Sequence, residues 1–380
     1  MTTDTKVQGS VNAIMAASGV GLAVSLVIVV ANLFSSGHAS FNSASEGVNW
    51  GMPIATYVFL ALTATGLTFV SSLALVSKEW YPIAKRCVWL ALAAMVAGFA
   101  ALAFELGHPF RMLWAMPLAF QFNAPMYWMG VFYTLYAVLL LVKFRKMNAG
   151  DWSSASYRSI SIASLVSVII ASGTLGLIFG MMAMRPIWYD PLMPIHFLLT
   201  GALSGMAFSV LITYIAYGRQ DAMPEGVRAL MTGVVPTVFA AVLSVAFIAH
   251  IARAVTGLWS NADGMQVWDH LVSGPWFWLQ FGSMVVALFI LFSPKLRSAG
   301  NMQLAASVLV ILAAFIGVYQ YIIGGQLVPM FKGSWVPGLI DYTPSLTEWM
   351  LVLLAASATC AIYALGERKF NLGATPAEAP

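Results

Sequence analysis

The chain has 380 residues, of which 60% are hydrophobic and only 8% charged. Average soluble domains are about 45–50% apolar and about 25% charged, so an ordinary soluble enzyme is excluded, as is a disordered chain, which needs low hydrophobicity and high charge. The formal charge of +4 does not mark a nucleic-acid binder, because the basic residues are scattered between apolar runs and form no patch.

A membrane helix needs about 20 mostly apolar residues. Ten runs qualify, in chain order 13–34, 54–76, 87–105, 126–143, 160–183, 194–217, 230–255, 275–293, 302–323 and 347–366. The first run is longer than a typical signal-peptide core and follows a single lysine, so it is read as a retained helix. Fourteen of the 18 Lys and Arg lie in or beside the N-terminal, 77–86, 144–159, 218–229, 294–301 and 367–380 segments. The other four are Arg111, Arg185, Arg253 and Lys332. The positive-inside rule then puts both termini of this multi-pass protein in the cytoplasm.

The outer loops, 35–53, 106–125, 256–274 and 324–346, are mostly the longer ones. Ten of the 13 Trp fall in them or at outer helix ends: Trp50, Trp114, Trp128, Trp188, Trp259, Trp268, Trp276, Trp278, Trp335 and Trp349. An aromatic belt alone would place Trp at both interfaces. The asymmetry points to an outer surface that binds a partner protein or a flat ligand, with belt and loop packing as the plainer reading.

A repeat is visible. MPIATYVFLALTATG at 52–66 and MPIHFLLTGALSG at 193–205 both begin a helix at its outer end and end in small residues. Same-side starts define a parallel repeat. The predicted fold is therefore all-α and integral to the membrane, with residues 1–380 as one polytopic domain. It holds two parallel-repeat four-helix bundles, 54–183 and 194–323, plus peripheral helices at 13–34 and 347–366. Gly66 and Gly205 are expected at close helix crossings. Cys87 and Cys360 lie in apolar runs, read as buried small hydrophobes, with no C-x-x-C to hold a cluster or zinc.

The chemistry-bearing residues gather on the outer side. All five His (His38, His108, His196, His250 and His270) lie there. Stacked haems need ligands at two depths, which disfavours a dihaem cytochrome; one haem on His196 and His250 stays open. Glu105, His108 and Arg111 fall within seven residues. If the helix continues that far, Glu105 and His108 share a face and can relay protons near neutral pH. Arg111 would hold the carboxylate ionised or bind a headgroup; an interfacial ion pair is the plainer alternative. His250 and Arg253 repeat the theme in the second unit. Asn49-Trp50-Gly51, Tyr57 and Asn123-Ala-Pro-Met-Tyr127-Trp128 add hydrogen-bonding groups and aromatic faces at the same depth, unless Asn49 and Asn123 are helix caps. An apolar pocket with a few convergent polar groups suits a small molecule. A quinone fits, since its carbonyls need hydrogen-bond partners and protons must accompany its electrons. The helix middles read as apolar.

At these residues the sequence resembles the NrfD/PsrC-like family, the membrane subunits of respiratory oxidoreductases. The resemblance rests on Asn49-Trp50-Gly51 with Tyr57, Glu105-x-x-His108-Pro109-x-Arg111, Asn123-Ala-Pro-Met-Tyr-Trp, Arg185-Pro-Ile-Trp-Tyr with Pro194, and Asp341-Tyr-Thr-Pro-Ser-Leu-Thr-Glu348. It implies a quinone-interacting subunit with no haem or iron–sulfur cluster of its own. The implied partners are a ferredoxin-like iron–sulfur subunit and, in many members, a molybdopterin subunit or multihaem cytochromes. It implies a quinone pocket at the outer face of the first unit, where Trp50, Tyr57, Asn123 and Tyr127 would bind and Glu105, His108 and Arg111 would handle protons. Ten helices look more like the hydrogenase-associated, sulfite-reduction-associated and alternative complex III branches than the eight-helix members. Some members carry a His where Tyr57 stands; here the second repeat has His196, which joins the cofactor-binding candidates. The proton-handling group is then Glu105 or His108. Two other readings compete: a secondary transporter of a neutral or apolar solute, and a pure anchor for a redox partner.

Overall fold

The computed structural model describes residues 2–43, 47–260, 266–329 and 338–376. Among them, ten helices are long and apolar enough to cross a membrane. They are α1 (Thr2–Ser36), α2 (Met52–Ser72), α3 (Tyr81–Glu105), α4 (Pro125–Asn148), α5 (Ala155–Gly180), α6 (Met193–Tyr217), α7 (Val234–Ser260), α8 (Pro275–Phe292), α9 (Gly300–Gly324) and α10 (Leu346–Lys369). Lys332 and Trp335 lie outside the described residues. Pro at the first turn starts α2, α3, α4, α6 and α8, where its missing N–H costs nothing.

The neighbours form two closed rings. Helix α2 packs on α3, α3 on α4, α4 on α5 and α5 on α2; likewise α6 on α7, α7 on α8, α8 on α9 and α9 on α6. The rings meet mainly along α2 and α6, flanked by α5 against α6 and α9 against α2. Mapping α2–α5 onto α6–α9 sends each of these pairs onto another. The α2–α6 crossing is close because glycines line it. A Cβ added at Gly66 would strike the Gly201 carbonyl, and one at Gly205 would strike the Gly66 backbone. No longer side chain allows backbones that near.

Helix α1 is peripheral: only 17% of its apolar window is buried. Helix α10 is fixed more firmly, by a buried carboxylate at each end. Glu348 is 0% exposed and closes a capping box with Ser345. It also accepts from Tyr342 Oη at 2.6 Å, and that hydroxyl accepts from Met52 N at 2.8 Å. At the other end Glu367 accepts from Arg86 Nε at 2.7 Å and from Tyr363 Oη at 2.6 Å. Arg86 also donates to Tyr217 Oη at 2.8 Å, tying α3, α6 and α10 together. Lys85 donates to Asn148 Oδ1 and the Asn371 carbonyl.

Three expectations need correction. Helix α3 starts at Tyr81 rather than 87, since Lys85 and Arg86 are not loop charges but buried, paired groups within its first turns. Cys87 is buried, but Cys360 is exposed on α10; a small thiol is tolerated on a face turned toward lipid. The helix middles of the first ring are not apolar, as described below.

Candidate functional site

The end of the rings where α2, α4, α6 and α8 begin, termed outer after the charge pattern, holds most of the expected residues in the first ring, but not as one cluster. Helix α3 stops at Glu105, because Leu106 turns extended (φ −72°, ψ 127°) ahead of Gly107 and Pro109. A residue before proline avoids the helical region, so His108 starts a new direction and the shared face of Glu105 and His108 does not form. Arg111 lies on the short helix Pro109–Leu118, and its backbone N–H bonds the His108 carbonyl at 3.0 Å. His108 and Arg111 are exposed, whereas Glu105 is half-buried. Among the described residues no ion pair joins Glu105 to Arg111. One carboxylate oxygen, Oε2 of Glu105, is buried without a hydrogen-bond partner. Such a group is costly in an apolar setting and marks a functional candidate.

Helix α2 supplies Tyr57, which is 4% exposed. Its hydroxyl meets Met129 Sδ of α4 at 3.7 Å, and its ring lies 5.3 Å from Phe99. Burial removes it from the interfacial belt and leaves its O–H with only a thioether, a weak acceptor. Asn123 is exposed and does not cap α4; Ala124 holds that position without a side-chain bond. Tyr127 is half-buried in an aromatic lip with Phe122 and Trp128, at 5.5 Å from each ring.

Trp50 goes elsewhere. Its ring stacks on Trp188 at 5.5 Å and meets the edge of Phe179 at 5.4 Å. Gln326 Oε1 accepts from the N–H groups of Asn49 and Trp50, both at 2.9 Å, while its Nε2 donates to the Trp50 carbonyl. Asn49 thus caps nothing; its backbone is held by Gln326. Arg185 donates to the Val328 carbonyl at 2.7 Å, and burial lowers its affinity for its proton from the ordinary value. The segments around Asn49, Arg185 and Asp341 therefore build a brace between α2, α5, α9 and α10. Trp50 and Trp188 line a cleft of about 620 Å³ with Met181, Met182 and Met184; Tyr57, Glu105 and Tyr127 are not part of its lining.

His196 lies in the second ring, where the polar convergence is denser. It shares a chamber of about 110 Å³ with His250, Arg253, Gln280 and Gln320. These come from α6, α7, α7, α8 and α9, each within about three turns of an outer helix end. Gln320 Nε2 donates to Gln280 Oε1 at 3.0 Å, which orients the amide so that Gln280 Nε2 faces His250 Nδ1 at 3.5 Å. Space for that amide exists because residue 317 is glycine; a Cβ there would lie 2.6 Å from Gln280 Nε2. His250 stacks on Phe277, and its Nε2 is buried without a partner. The Arg253 guanidinium lies 4.8 Å from the Tyr321 ring centroid and 5.8 Å from that of Trp268. His196 Nε2 faces Asp190 Oδ2 at 3.8 Å. His250 and Arg253 are visible in the sequence. Gln280 and Gln320 escape a search for charge and imidazole, although an amide inside an apolar helix is itself a signal.

The first ring hides a second set. Tyr133 Oη and Thr65 Oγ1 meet Ser172 Oγ at 3.0 and 2.6 Å. A turn deeper, Tyr136 Oη and Thr68 Oγ1 meet at 2.5 Å, and then Lys143 Nζ donates to Ser71 Oγ at 3.0 Å. All seven residues are 2% exposed or less. Thr65 and Thr68 also bond the carbonyls of Ala61 and Ala64, which is how such hydroxyls pass unnoticed in an apolar run. Lys143, expected at a helix end, is five residues inside α4, which continues to Asn148.

Two closed four-helix rings, joined at a glycine crossing, define a polytopic membrane protein with paired helical units. The family described as "Polysulphide reductase, NrfD" matches residues 40–330, and the chain belongs to it. The protein is similar to the Hdr-like menaquinol oxidoreductase integral membrane subunit of Archaeoglobus fulgidus, 23% identical over 91% of its own length and 93% of the relative's. It is similar to a selenate reductase subunit of Mesobacillus selenatarsenatis, 23% identical over 79% of its own length and 80% of the relative's. It is also similar to a polysulfide reductase subunit of Wolinella succinogenes, 25% identical over 45% and 60% of the two lengths.

Proposed function

We propose that this protein is the quinone-interacting membrane subunit of an oxidoreductase complex, passing electrons between a membrane quinone and a partner iron–sulfur subunit. The observation that carries the reading is the buried, unpartnered Oε2 of Glu105 at the outer end of an apolar helix, in a member of this family. A carboxylate with a free oxygen beside a membrane exchanges protons with a quinone oxygen, which gains or loses them with its electrons. Tyr57, with no oxygen or nitrogen partner for its hydroxyl, donates to a quinone carbonyl; Tyr127 and Phe122 wall the ring. His108 and Arg111, both exposed, connect Glu105 to water. Trp50 and Asn123 do not touch the ring in this reading: Trp50 belongs to the brace, and Asn123 to the rim. The quinone is a substrate, and its chemistry of paired electrons and protons comes with it when it binds.

The partner is a ferredoxin-like iron–sulfur subunit docked on the Trp-rich outer face, with a molybdopterin or multihaem subunit carrying the other half-reaction. The membrane is the bacterial inner membrane, and the charge pattern supports both termini being cytoplasmic. The names of these three relatives, each a reductase or oxidoreductase subunit, favour this reading over a secondary transporter.

The test is Glu105→Gln in the intact complex. Quinol turnover is expected to fall at least about 100-fold, within the range general acid–base groups contribute, while the complex assembles in normal yield. Normal turnover would remove Glu105 from the mechanism.

A further inference from the structure

The chamber of the second ring has features that the proposed reaction at Glu105 does not use. Its hydrogen-bond chain has a direction. Gln320 donates to Gln280, whose amide then presents its N–H to His250 Nδ1. In the tautomer that matches this amide orientation, Nδ1 accepts and the neutral imidazole carries its proton on Nε2. That atom is the buried one without a partner. The Arg253 guanidinium, one turn further along α7, sits among aromatic faces. The chamber therefore offers donors, and its missing component is an acceptor.

Access is from the side. A cleft of about 640 Å³ between α6 and α7 shares His196, Leu199, Ala249, Arg253 and Trp268 with the chamber. Its walls include Ile195 and Val245, 60% and 56% exposed on the surface that faces lipid. A narrow polar chamber behind a wide apolar cleft suits a ligand with a compact accepting head and an apolar tail. Asp190 lines the cleft beside His196 and offsets the Arg253 charge, so the site carries no net positive charge to hold an anionic head. A phosphodiester is thus disfavoured and a neutral carbonyl favoured. The aromatic faces of Phe277, Trp268 and Tyr321 suit a flat ring.

We propose that this chamber binds a second molecule of membrane quinone, with one carbonyl accepting from His250 Nε2 and Arg253 and the tail lying in the α6–α7 cleft. The proposal concerns binding and assigns no electron transfer to the site. It takes quinone as the ligand from the function proposed above and adds a second place for it.

The experiment is photolabelling of the purified complex with an arylazido-quinone, followed by peptide mapping, with unlabelled quinone as competitor. Two variants accompany the native protein. Ala249→Phe fills the throat shared by cleft and chamber, and Gln280→Leu breaks the chain that orients His250. The expected result is competed labelling on α7 or α8 as well as in the first ring. Both variants should lower the α7–α8 label at least about tenfold and leave first-ring label within twofold. Label confined to the first ring would overturn the second site and leave the proposed function standing. Label confined to α7 or α8 would support the second site and move the quinone away from Glu105. No competed label anywhere would sink both readings. A phospholipid that co-purifies with the native protein and is lost in Ala249→Phe would give the chamber to lipid and overturn the proposal.

Discussion

The two rings share a helix order and differ in where they keep their polar groups. In the first ring the polar groups lie deep and are bonded to one another: Tyr133, Ser172 and Thr65, then Tyr136 and Thr68, then Ser71 and Lys143. Its outer end is left with single groups, above all Glu105. In the second ring Tyr214 and Gln303 are bonded to one another at the far end, while His196, His250, Arg253, Gln280 and Gln320 gather near the outer ends around a space they do not fill. A satisfied hydroxyl column rigidifies a bundle, whereas a cluster with an unpartnered donor is poised for a ligand. Helical repeats thus preserve neighbours and crossings while the side chains inside diverge.

The largest expected effect falls on what the rings have in common. Gly205→Leu drives a side chain into the Gly66 backbone and should abolish folded protein, read as loss of the monodisperse peak in detergent. If Gly205→Leu left a stable protein, the rings would not depend on their crossing. Next comes a change that should separate them. The first ring is tied to α10 through Arg86 and Glu367, whose side chains are both 4% exposed. Glu367→Ala leaves a buried guanidinium unpaired and should cost about 3–5 kcal/mol. Hydrogen exchange should quicken in α3 and α10 and stay nearly unchanged in α7 and α8. Uniform quickening would mean that the rings unfold as one unit.

A smaller effect of opposite sign tests the column. Lys143 is fully buried, with Ser71 as its hydrogen-bond partner and Cys87 beside it. Lys143→Met removes a buried polar end and keeps the volume, so stability should rise by about 1–3 kcal/mol, seen as a higher unfolding midpoint. A fall would show that Ser71 needs its partner more than the bundle resents the amine. The smallest effect concerns the loop after α4. The hydrogen bond from Lys146, with help from Ser154, holds the Asp151 carboxyl down at about 2. A depressed carboxylate stabilises the fold above its unfolded value, near 3.9, and loses that contribution as pH falls toward 2. Asp151→Asn should therefore flatten the fall in unfolding midpoint between about pH 4 and pH 2. An unchanged slope would assign acid sensitivity to other carboxylates.

Read as a sequence, the protein already declares its class. Ten apolar runs lie near Pro, Gly or charge, and backbone groups in lipid must be satisfied within the segment, so helices were the only outcome. The repeated MPI…G pattern marks the pair of helices that cross, since close approach in a membrane needs small residues. The site is legible only in part. Glu105, His250 and Arg253 stand out because charge or imidazole in an apolar run is rare. Glu105 and His108 do not share a helix face, because α3 ends at Glu105 and spacing on a helix means nothing past its end. Trp50 and Asn49 look like ligand contacts in the sequence, and the fold also ties them into a brace, since only packing brings Gln326, 276 residues away, against Trp50.

What the sequence determined by itself was the local solution: membrane helices and the small residues at their crossing. Which polar groups would meet was decided by tertiary structure alone. A hydroxyl such as Thr65 can bond its own helix or a neighbour's Ser172 at nearly equal cost, and an amide such as Gln280 has no preferred partner until α7 and α9 are packed beside it. Hydrogen-bond partners separated by tens to hundreds of residues are chosen by packing, because only packing excludes the lipid and water that would otherwise surround them.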